Sequence, residues 1–543
     1  MNTASIYDSA IAGLQYAQAG MVTTSQNVTG SNVAGYVRRN PNLQISTMSP
    51  TSREINGTAF SVEGFTRNFS ATLQNQLLAQ QSKTSYTATL TQAVSTLDAM
   101  LVDPSASIGA ALANFFNAAG SLANDPANTA YQHAFTGAAN LVGDRVRGMA
   151  QLVGTLAKDA QQGLADVLNQ ANALAPQLAD VNARIRAGAT PGVSYPSADL
   201  LDERDRITTQ LQELLGGTTT LNEDGTASFQ IKGVQLVDRE VANQFVSATG
   251  ARPITSEMLP DHLFLEVRGS DNPFWSKRIA LTLGEVNAFK SVGTPADPAV
   301  VEVQQPATTS FESGQAGAYY LLLNSFVPNV QKSLNLLAMK LVHEVNHVKG
   351  DTAADIPAVF GFQDSTQAAS YVTDLGTVQH TGTGHSVDAI LGTYSFQELM
   401  QMANPASSNY SSEVDGTLRS ALLDHDLLAS QLYSVASFDP AQFSHFSATS
   451  ARDIDALRPD FSNSATFITS SIATTVSAWK SEHKTNETMS QVLSDQKNAI
   501  SGVNLDEEAA NLVKYQQLYN ASSKLIQTQR QMFDTLLAML AGN

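Results

Sequence analysis

Hydrophobic residues recur every seven positions along residues 502–543. The members of this repeat are Leu505, Leu512, Tyr519, Ile526, Phe533 and Leu540, with Leu518, Leu525, Met532 and Met539 beside them. A seven-residue apolar repeat is typical of a helix that packs lengthwise against another helix. Asn504 precedes the repeat and Glu507 stands three residues later, which is the spacing of a capping box. The pattern therefore predicts a long C-terminal helix that starts at Asn504.

The opposite end of the chain carries a matching repeat. Its large members, seven residues apart, are Tyr7, Leu14, Met21 and Val28, and its small alternate members are Ala10, Ala17 and Thr24. Small side chains allow a second helix to approach closely. We therefore predict that the N- and C-terminal helices form a coiled-coil-like pair.

One apolar stripe on each terminal helix offsets little of the entropy that is lost when so many residues are ordered. We expect both ends to be mobile in the isolated chain and to become ordered when neighbouring copies cover their remaining faces. The terminal seam predicted to hold these copies together consists of Tyr7, Leu14, Met21, Val28, Leu505, Leu512, Tyr519, Ile526, Phe533 and Leu540. The alternative is an intramolecular two-helix core that closes a soluble domain without a second copy.

Between the two ends, apolar residues at intervals of three and four predict further helices. The predicted segments are residues 69–101, 108–124, 156–185, 197–215, 316–349 and 465–499. Pro176 falls inside the third segment and is expected to kink or break it, because proline lacks the N–H that the helix needs. Asp202 and Arg206 stand four residues apart in the fourth segment and are expected to pair.

Strand-like alternation begins after Gly216 and ends near Pro306, with Asp224-Gly225 as a hairpin turn. The predicted fold is therefore mainly α with a β-rich inserted domain. We expect four parts: a terminal helical assembly domain (1–50 and 500–543), an α-helical rod domain (51–215, 312–350 and 461–499), a β-rich outer domain (216–311) and an outer mixed domain or insertion (351–460).

The composition narrows the classes of partner. The 543-residue chain has a net charge of −18 although only 15% of its residues are charged, and such an acidic surface argues against binding to nucleic acid or to an anionic membrane. The absence of cysteine excludes disulfides and thiolate metal sites. No stretch approaches the roughly 20 apolar residues of a membrane span. The N-terminus also lacks the basic and apolar segments of a cleaved signal peptide.

The sharpest chemical motif is His343-Glu-Val-Asn-His347, an H-E-x-x-H sequence on a predicted helix. In zinc peptidases the two histidines bind zinc and the glutamate acts as the general base. The third ligand position of the longer motif is occupied by Ala353, and the next glutamate along the chain is Glu398. At about 100° per residue, both histidines lie roughly 120–160° from the centre of the apolar stripe of this helix. We therefore interpret the motif as the outer face of a packing helix, with a zinc peptidase as the alternative.

The other polar clusters are interpreted as structural. The carboxylates at 202, 203 and 205 alternate with Arg204 and Arg206, which favours a solvated ion-pair face over a catalytic pair. Gly382-Thr-Gly384 lacks the third glycine of a dinucleotide motif, and His380 and His385 in the same loop could bind a metal adventitiously at most. The sequence thus predicts no catalytic residue, no cofactor and no metal site.

Five stretches resemble bacterial flagellar axial proteins. The first, Ser25 to Arg38, has an Asn-rich turn and a Gly-Tyr pair after the N-terminal helix, with Gly30 where these proteins commonly have Asn. The other four, in chain order, are ALANFFNA (111–118), ADLLDERD (198–205), FESGQAG (311–317) and GVNLDEE (502–508). With the terminal repeats, they resemble the hook-associated protein 1 family. The resemblance covers the ends and the helical parts, whereas the β region matches in position and character and residues 351–460 match poorly.

This resemblance implies a structural subunit of the bacterial flagellum, the adaptor at the hook–filament junction, and not an enzyme. The partners it implies are further copies of the chain, hook protein, the second junction protein and an export chaperone that binds the C-terminal helix; nucleic acid and membrane are not expected. It also implies an extracellular location, reached through the flagellar type III apparatus without a cleaved signal peptide. The alternative within the same class is another axial protein, such as hook protein.

Overall fold

The chain folds mainly into α-helices in the computed structural model. The residues that the structure describes are 3–33, 35–47, 58–102, 107–188, 197–231, 234–247, 254, 263–268, 276–281, 311–348, 356–363, 371–372, 387–404, 407–423, 428–434, 443 and 446–541. Their helices are α1 (Thr3–Gly30), α2 (Ala71–Ala93), α3 (Ser95–Val102), α4 (Ile108–Asn124), α5 (Thr129–Gly188), α6 (Ala198–Leu215), α7 (Gly314–Leu321), α8 (Val327–Lys340), α9 (Val387–Thr393), α10 (Phe396–Met402), α11 (Ser412–Leu423), α12 (Ala448–Ala456), α13 (Arg458–Ser501) and α14 (Leu505–Ala541). Among them, none is both long and apolar enough to cross a membrane.

The described strands form small antiparallel sheets. They are β1 (Arg39–Thr47), β2 (Thr58–Arg67), β3 (Thr218–Leu221), β4 (Ala227–Ile231), β5 (Val234–Asp238), β6 (Val241–Ala242), β7 (Gln244–Ser247), β8 (Leu263–Arg268), β9 (Ser276–Leu281), β10 (Phe360–Gln363), β11 (Tyr371–Val372) and β12 (Leu432–Ser434). Their orders within the sheets are β1-β2, β3-β4-β5-β6, β7-β8-β9 and β11-β10-β12. Two π-helical turns, Leu322–Phe326 and Leu341–Val345, adjoin α8.

Contacts group the chain into two compact units. The first unit contains Met1–Tyr86, Ala165–Gly317 and Lys484–Asn543, and the second contains Thr87–Leu164 and Ala318–His483. In the first, α1 packs against α14 and against the β1–β2 hairpin. In the second, the core is aromatic: the Phe115 ring lies 5.1 Å from that of Phe135 and 5.4 Å from that of Phe360, and Phe116 contacts Phe461. The Phe-Phe pair of the 111–118 stretch is therefore a packing feature.

The predicted fold class is confirmed, since helices dominate and a β-rich segment is inserted among them. α4 ends at Asn124 and α6 runs to Leu215, as the sequence predicts. Of the two effects expected at Pro176, a break is wrong, because α5 continues through it from Thr129 to Gly188, and a kink stays a prediction. A buried stripe on both sides of the proline, including Leu168 and Leu178, holds the helix in place despite the missing hydrogen bond.

The β1–β2 hairpin was not predicted from the sequence. Its strands pair from Arg39 opposite Arg67 to Thr47 opposite Thr58. The hairpin therefore contains residues from both sides of the domain boundary expected at 50/51. The four-part division of the chain stays a prediction.

Asparagine side chains of α5 hold the β region of the first unit through its backbone. Asn172 donates to the carbonyl of Phe245 and accepts from the N–H of the same residue, at 2.9 and 2.7 Å. Asn169 makes the same pair of bonds to Ile254. Asn182, fully buried, bonds both backbone groups of Ala227. Each carboxamide thus bonds one backbone N–H and one C=O, as a neighbouring strand would. Leaving these buried groups unpaired would cost stability.

We expect Asn182→Ala to destabilise the first unit by about 2–3 kcal/mol, because it leaves the buried N–H and C=O of Ala227 without partners. Urea unfolding of the full chain, with hydrogen exchange at Ala227, measures this loss. Gln177→Ala is the matched control, since that exposed side chain bonds only within its own helix. Equal stability of the two variants would contradict the role of the carboxamide.

Candidate assembly surface

α1 and α14 form a close antiparallel pair. Along α1 the residues at the contact are small, and their partners on α14 run in the opposite direction. A Cβ placed on Gly13 would lie 2.7 Å from the Ser522 hydroxyl oxygen, and one on Gly20 would overlap the ring of Tyr515. Ala10 and Ala17 are buried on the same face. The predicted pairing of the terminal helices through small residues of α1 is therefore confirmed.

Tyr515 is the large residue at the centre of this pair. Its ring lies in the space that Gly20 leaves open and meets the ring of Tyr16 edge-on, with centroids 5.7 Å apart. Burial, helped by the nearby Tyr16 hydroxyl, raises the pKa of Tyr515 from 10.0 to about 12. The neutral phenol is thus favoured while the two helices remain in contact.

The residues of α14 that pack against α1 belong to a different seven-residue repeat from that of the predicted terminal seam. Glu508, Tyr515 and Ser522 are buried against α1, whereas Leu505 and Phe533 of the terminal seam are 55% and 61% exposed. Two of the three buried residues are polar, so the apolar pattern gave no signal for them. This leaves the large apolar side chains of α14 on the outside of the pair.

The other members of the terminal seam are exposed or half-buried. On α1, Tyr7 and Val28 are exposed, and Leu14 and Met21 are half-buried. On α14, Leu512 is exposed, Tyr519 and Ile526 are half-buried, and the side chain of Leu540 lies outside the described residues. In a single chain, the terminal seam is therefore uncovered or only partly covered, and its role in assembly stays a prediction.

Asn27 fixes the end of α1. Its Nδ2 donates to the Arg39 carbonyl at 2.9 Å and to Oε2 of Glu508 at 3.2 Å. Its Oδ1 accepts from the Arg39 N–H at 3.0 Å and from the Tyr36 hydroxyl at 2.9 Å. The Tyr36 ring folds back onto Gly30, where a Cβ would lie 2.5 Å from it. The Gly30 departure in the family-like turn is thus explained, because a side chain there would displace Tyr36.

Two consecutive arginines after this turn bind two different helices of the first unit. Arg38 donates from Nε to Glu508 at 2.8 Å and from Nη1 to Glu507 at 2.7 Å, both on α14. Arg39 donates to Asp199 at 2.7 Å and to Asp202 at 2.8 Å, both on α6. Successive side chains of an extended segment point in opposite directions. The segment therefore ties the terminal pair to α6.

Asp202 is the buried centre of the second set of bonds. Arg67 of β2 pairs with Asp202 at 2.9 Å and with Asp205 at 2.6 Å. Burial raises the pKa of Asp202 even though Arg67 and Arg39 act in the opposite direction. The ionised carboxylate is thus held by the two guanidinium groups in a poorly solvated position.

These contacts correct two sequence predictions. Asp202 does not pair with Arg206; that arginine binds Glu203 instead, at 2.6 Å, on the exposed side of α6. The expected solvated ion-pair face is confirmed for the Glu203–Arg206 pair and wrong for Asp202 and Asp205, which are largely buried. At the start of α14, Asn504 accepts from the Asp506 N–H as predicted, but Glu507 binds Arg38, which the capping-box spacing did not suggest.

The H-E-x-x-H motif lies in the second unit, on the π-helical turn after α8. Glu344 binds Lys340 at 2.6 Å, and Lys340 also donates to the carbonyl of Tyr394. His347 Nδ1 lies 2.7 Å from the His343 carbonyl, and the two rings are 4.7 Å apart. Within the described part of the chain, no group of three His, Asp or Glu side chains is placed to hold a metal. Glu344 thus serves an ion pair, whereas a general base must be available to water.

Gly382, Gly384, His380 and His385 lie outside the described residues.

Comparison with known proteins agrees with the flagellar resemblance. Residues 94–261 match the family model described as the helical domain of flagellar hook-associated protein FlgK. Residues 496–539 match the model of the C-terminal part of the basal body rod FlgEFG proteins. The chain is 24% identical to flagellar hook-associated protein 1 of Salmonella typhimurium over 98% of its own length and 99% of that protein. It is 24% identical to the Escherichia coli protein of the same name over the same shares.

A solved structure of the flagellar hook junction protein FlgK from Burkholderia pseudomallei is 20% identical to the chain. The match covers 53% of this chain and 46% of that one, with a TM-score of 0.38.

The two family models show that residues 94–261 and 496–539 are similar to the class of flagellar proteins. Within that class its similarity is to hook-associated protein 1, the FlgK family, over nearly the whole chain.

Gly20→Val is expected to force α1 and α14 apart, because its branches meet the Tyr515 ring. Overpacking costs about 1–3 kcal/mol, more than the few tenths gained by replacing a helical glycine. Hydrogen exchange of the α14 amides should become about tenfold faster. Gln18→Val, at an exposed position of the same helix, is the control. Unchanged exchange in Gly20→Val would show that the helices do not depend on this close approach.

The contact between α1 and α14 should weaken as the pH rises from about 10 to about 12. A phenol with a raised pKa contributes stability that is complete below the unfolded value of 10.0 and is lost on approaching the folded value of about 12. Spin labels on Gln18→Cys and Gln516→Cys would follow the separation, and carbon-13 tyrosine spectra would follow the ionisation. Tyr515→Phe should remove the resonance that titrates near 12; a Tyr515 that titrates near 10 would refute the assignment.

Proposed function

We propose that the chain is a structural subunit of the bacterial flagellum, the adaptor at the hook–filament junction, and that it assembles through its terminal helices. The observation that carries the proposal is the arrangement of apolar residues on the terminal pair. The pair is closed by small residues of α1 and by Glu508, Tyr515 and Ser522 of α14, whereas large apolar side chains such as Leu505, Leu525 and Phe533 face outwards. Exposed apolar surface of this kind marks a contact with another protein.

The charge distribution supports association between copies. The chain carries a net charge of −18, yet α1 contains a single charged residue, Asp8, and α14 has four acidic residues against three basic ones. The acidic charge is therefore concentrated away from the terminal helices. Copies can meet along these helices without strong mutual repulsion, while the remaining surface keeps the chain soluble.

The bonds made by Arg38 and Arg39 support a mechanical role. An adaptor between a flexible hook and a stiffer filament must pass force from its contact helices to its body. Buried ion pairs that join α14 to α6 through one extended segment provide such a connection. Their value here is geometric specificity, because buried ion pairs add little net stability.

The partners proposed from the family similarity are further copies of the chain, hook protein and the second junction protein. We also propose an export chaperone that covers the apolar face of α14 before assembly, since a helix laid into a groove would shield it. The protein would leave the cell through the flagellar type III apparatus and act outside it. We propose no catalytic activity: the similar proteins are structural, and Glu344 is engaged by Lys340.

Leu512→Asp combined with Phe533→Asp should abolish assembly while leaving the fold intact, because each places a charge on an exposed apolar site. The variants are expressed in cells of the same bacterium that lack their own copy, and attached filaments are counted. Gln527→Asp, an exposed polar position on the same helix, should behave as the unmodified chain. Normal filament numbers with the double variant, or with a chain lacking both terminal helices, would refute the proposed function.

A further inference from the structure

The last part of α13, residues 484–501, buries polar side chains in the first unit. Asn486 is buried, and its carbonyl accepts from Gln80 Nε2 and from Thr84 Oγ1 of α2, each at 3.1 Å. Ser501 is buried at the end of the helix. The residues of this inner face, at spacings of three and four, are Asn486, Ser490, Leu493, Lys497 and Ser501, of which a single one is apolar. Van der Waals packing of large apolar groups therefore contributes little to this face.

The large apolar residues of the same segment are on the surface instead. Met489, Val492 and Ile500 are each close to half exposed and lie within about 80° of one another around the helix, with the exposed Gln496 between Val492 and Ile500. At about 100° per residue, this stripe is roughly a quarter-turn away from the inner face. Exposed large apolar side chains grouped on one side of a helix whose buried side is mostly polar are unusual for a helix that packs on its own chain alone. The stripe thus indicates a surface that something else covers.

The stripe adjoins the helix through which copies of this chain are proposed to assemble. α13 ends at Ser501 and α14 begins at Leu505, so Ile500 and the exposed Leu505 stand on either side of a short break. The Arg38 N–H donates to the Ser501 carbonyl at 2.9 Å. This bond holds the break between α13 and α14 next to the segment that follows α1. The stripe on α13 is therefore continuous along the chain with the exposed apolar side of α14.

The charge of this segment also favours a second copy of the chain as the partner. Residues 484–501 contain two acidic side chains, Glu487 and Asp495, and two basic ones, Lys484 and Lys497. The segment is neutral within a chain of net charge −18. A second copy, acidic elsewhere, can approach this surface without the repulsion it would meet over most of the molecule.

We propose that the stripe of Met489, Val492 and Ile500 on α13 is a second contact surface for another copy of this chain. It extends the interface of the terminal helices past the break at 502–504 onto the helix behind it. The inference rests on the proposed function, because it takes assembly through α14 as its starting point. Its consequence is that a neighbour bound to α14 also contacts α13, which restricts the angle between the two helices in the assembly.

The chain has no cysteine, so a single introduced one can be labelled without interference. Met489→Cys carrying a benzophenone is irradiated in a mixture of nitrogen-15-labelled and unlabelled full-length chains at high concentration. Mass spectrometry then separates links between chains from links within one. We expect links between labelled and unlabelled chains from Met489→Cys, several-fold more than from the control Thr488→Cys. Thr488 is exposed, about 100° from Met489 around the helix and opposite the inner face.

Leu512→Cys, treated in the same way, reports on the proposed function. Links between chains from Leu512→Cys but not from Met489→Cys would overturn the inference and leave the proposed function standing. Links from Met489→Cys that stay within one chain would also overturn the inference, because the stripe would then be covered by its own chain. Absence of links between chains from both would overturn both. As a second measure, Val492→Asp should weaken association several-fold in sedimentation, whereas Thr488→Asp should not.

Discussion

The close approach of α1 and α14 determines which side chains of the terminal helices remain exposed. Two helices come together at Gly13 and Gly20 because neither position has a side chain, and Tyr515 fills the space that remains. Such packing needs few large residues inside the pair. The exposed large apolar residues of α14 then face outwards, where they would favour aggregation of a protein that stayed alone; they include Leu505, Leu525, Met532, Phe533 and Met539. The geometry of the pair thus determines which residues are left for a neighbour.

The pair is also positioned by polar bonds at its inner end. Asn27 binds both the backbone of Arg39 and the carboxylate of Glu508, so the end of α1, the start of β1 and the start of α14 meet at one side chain. Arg38 and Arg39 then diverge to α14 and α6. These bonds are directional and buried, so they define an orientation better than an apolar contact of the same size would.

Local patterns were sufficient for some of this and insufficient for the rest. The cap at Asn504, the end of α4 and the length of α6 follow from neighbouring residues, and the sequence predicts them. The partner of Asp202 lies on another element, and nothing near it in the chain points to Arg39 or Arg67. The buried repeat of α14 includes Glu508 and Ser522, which a search for apolar periodicity passes over. The hairpin β1–β2 depends on pairing between residues that are separated by an intervening segment. The continuity of α5 at Pro176 depends on the burial of the residues around the proline.

The asparagines of α5 have a consequence for how the β region of the first unit can change over time. Asn169 and Asn172 each grip one residue by its main chain, which is the same whatever side chain that residue carries. Substitutions at Phe245 and Ile254 that keep these positions buried therefore leave the bonds to the helix in place. Attachment through the main chain thus allows the exposed side chains of this β region to vary without changing the bonds that fix it to α5.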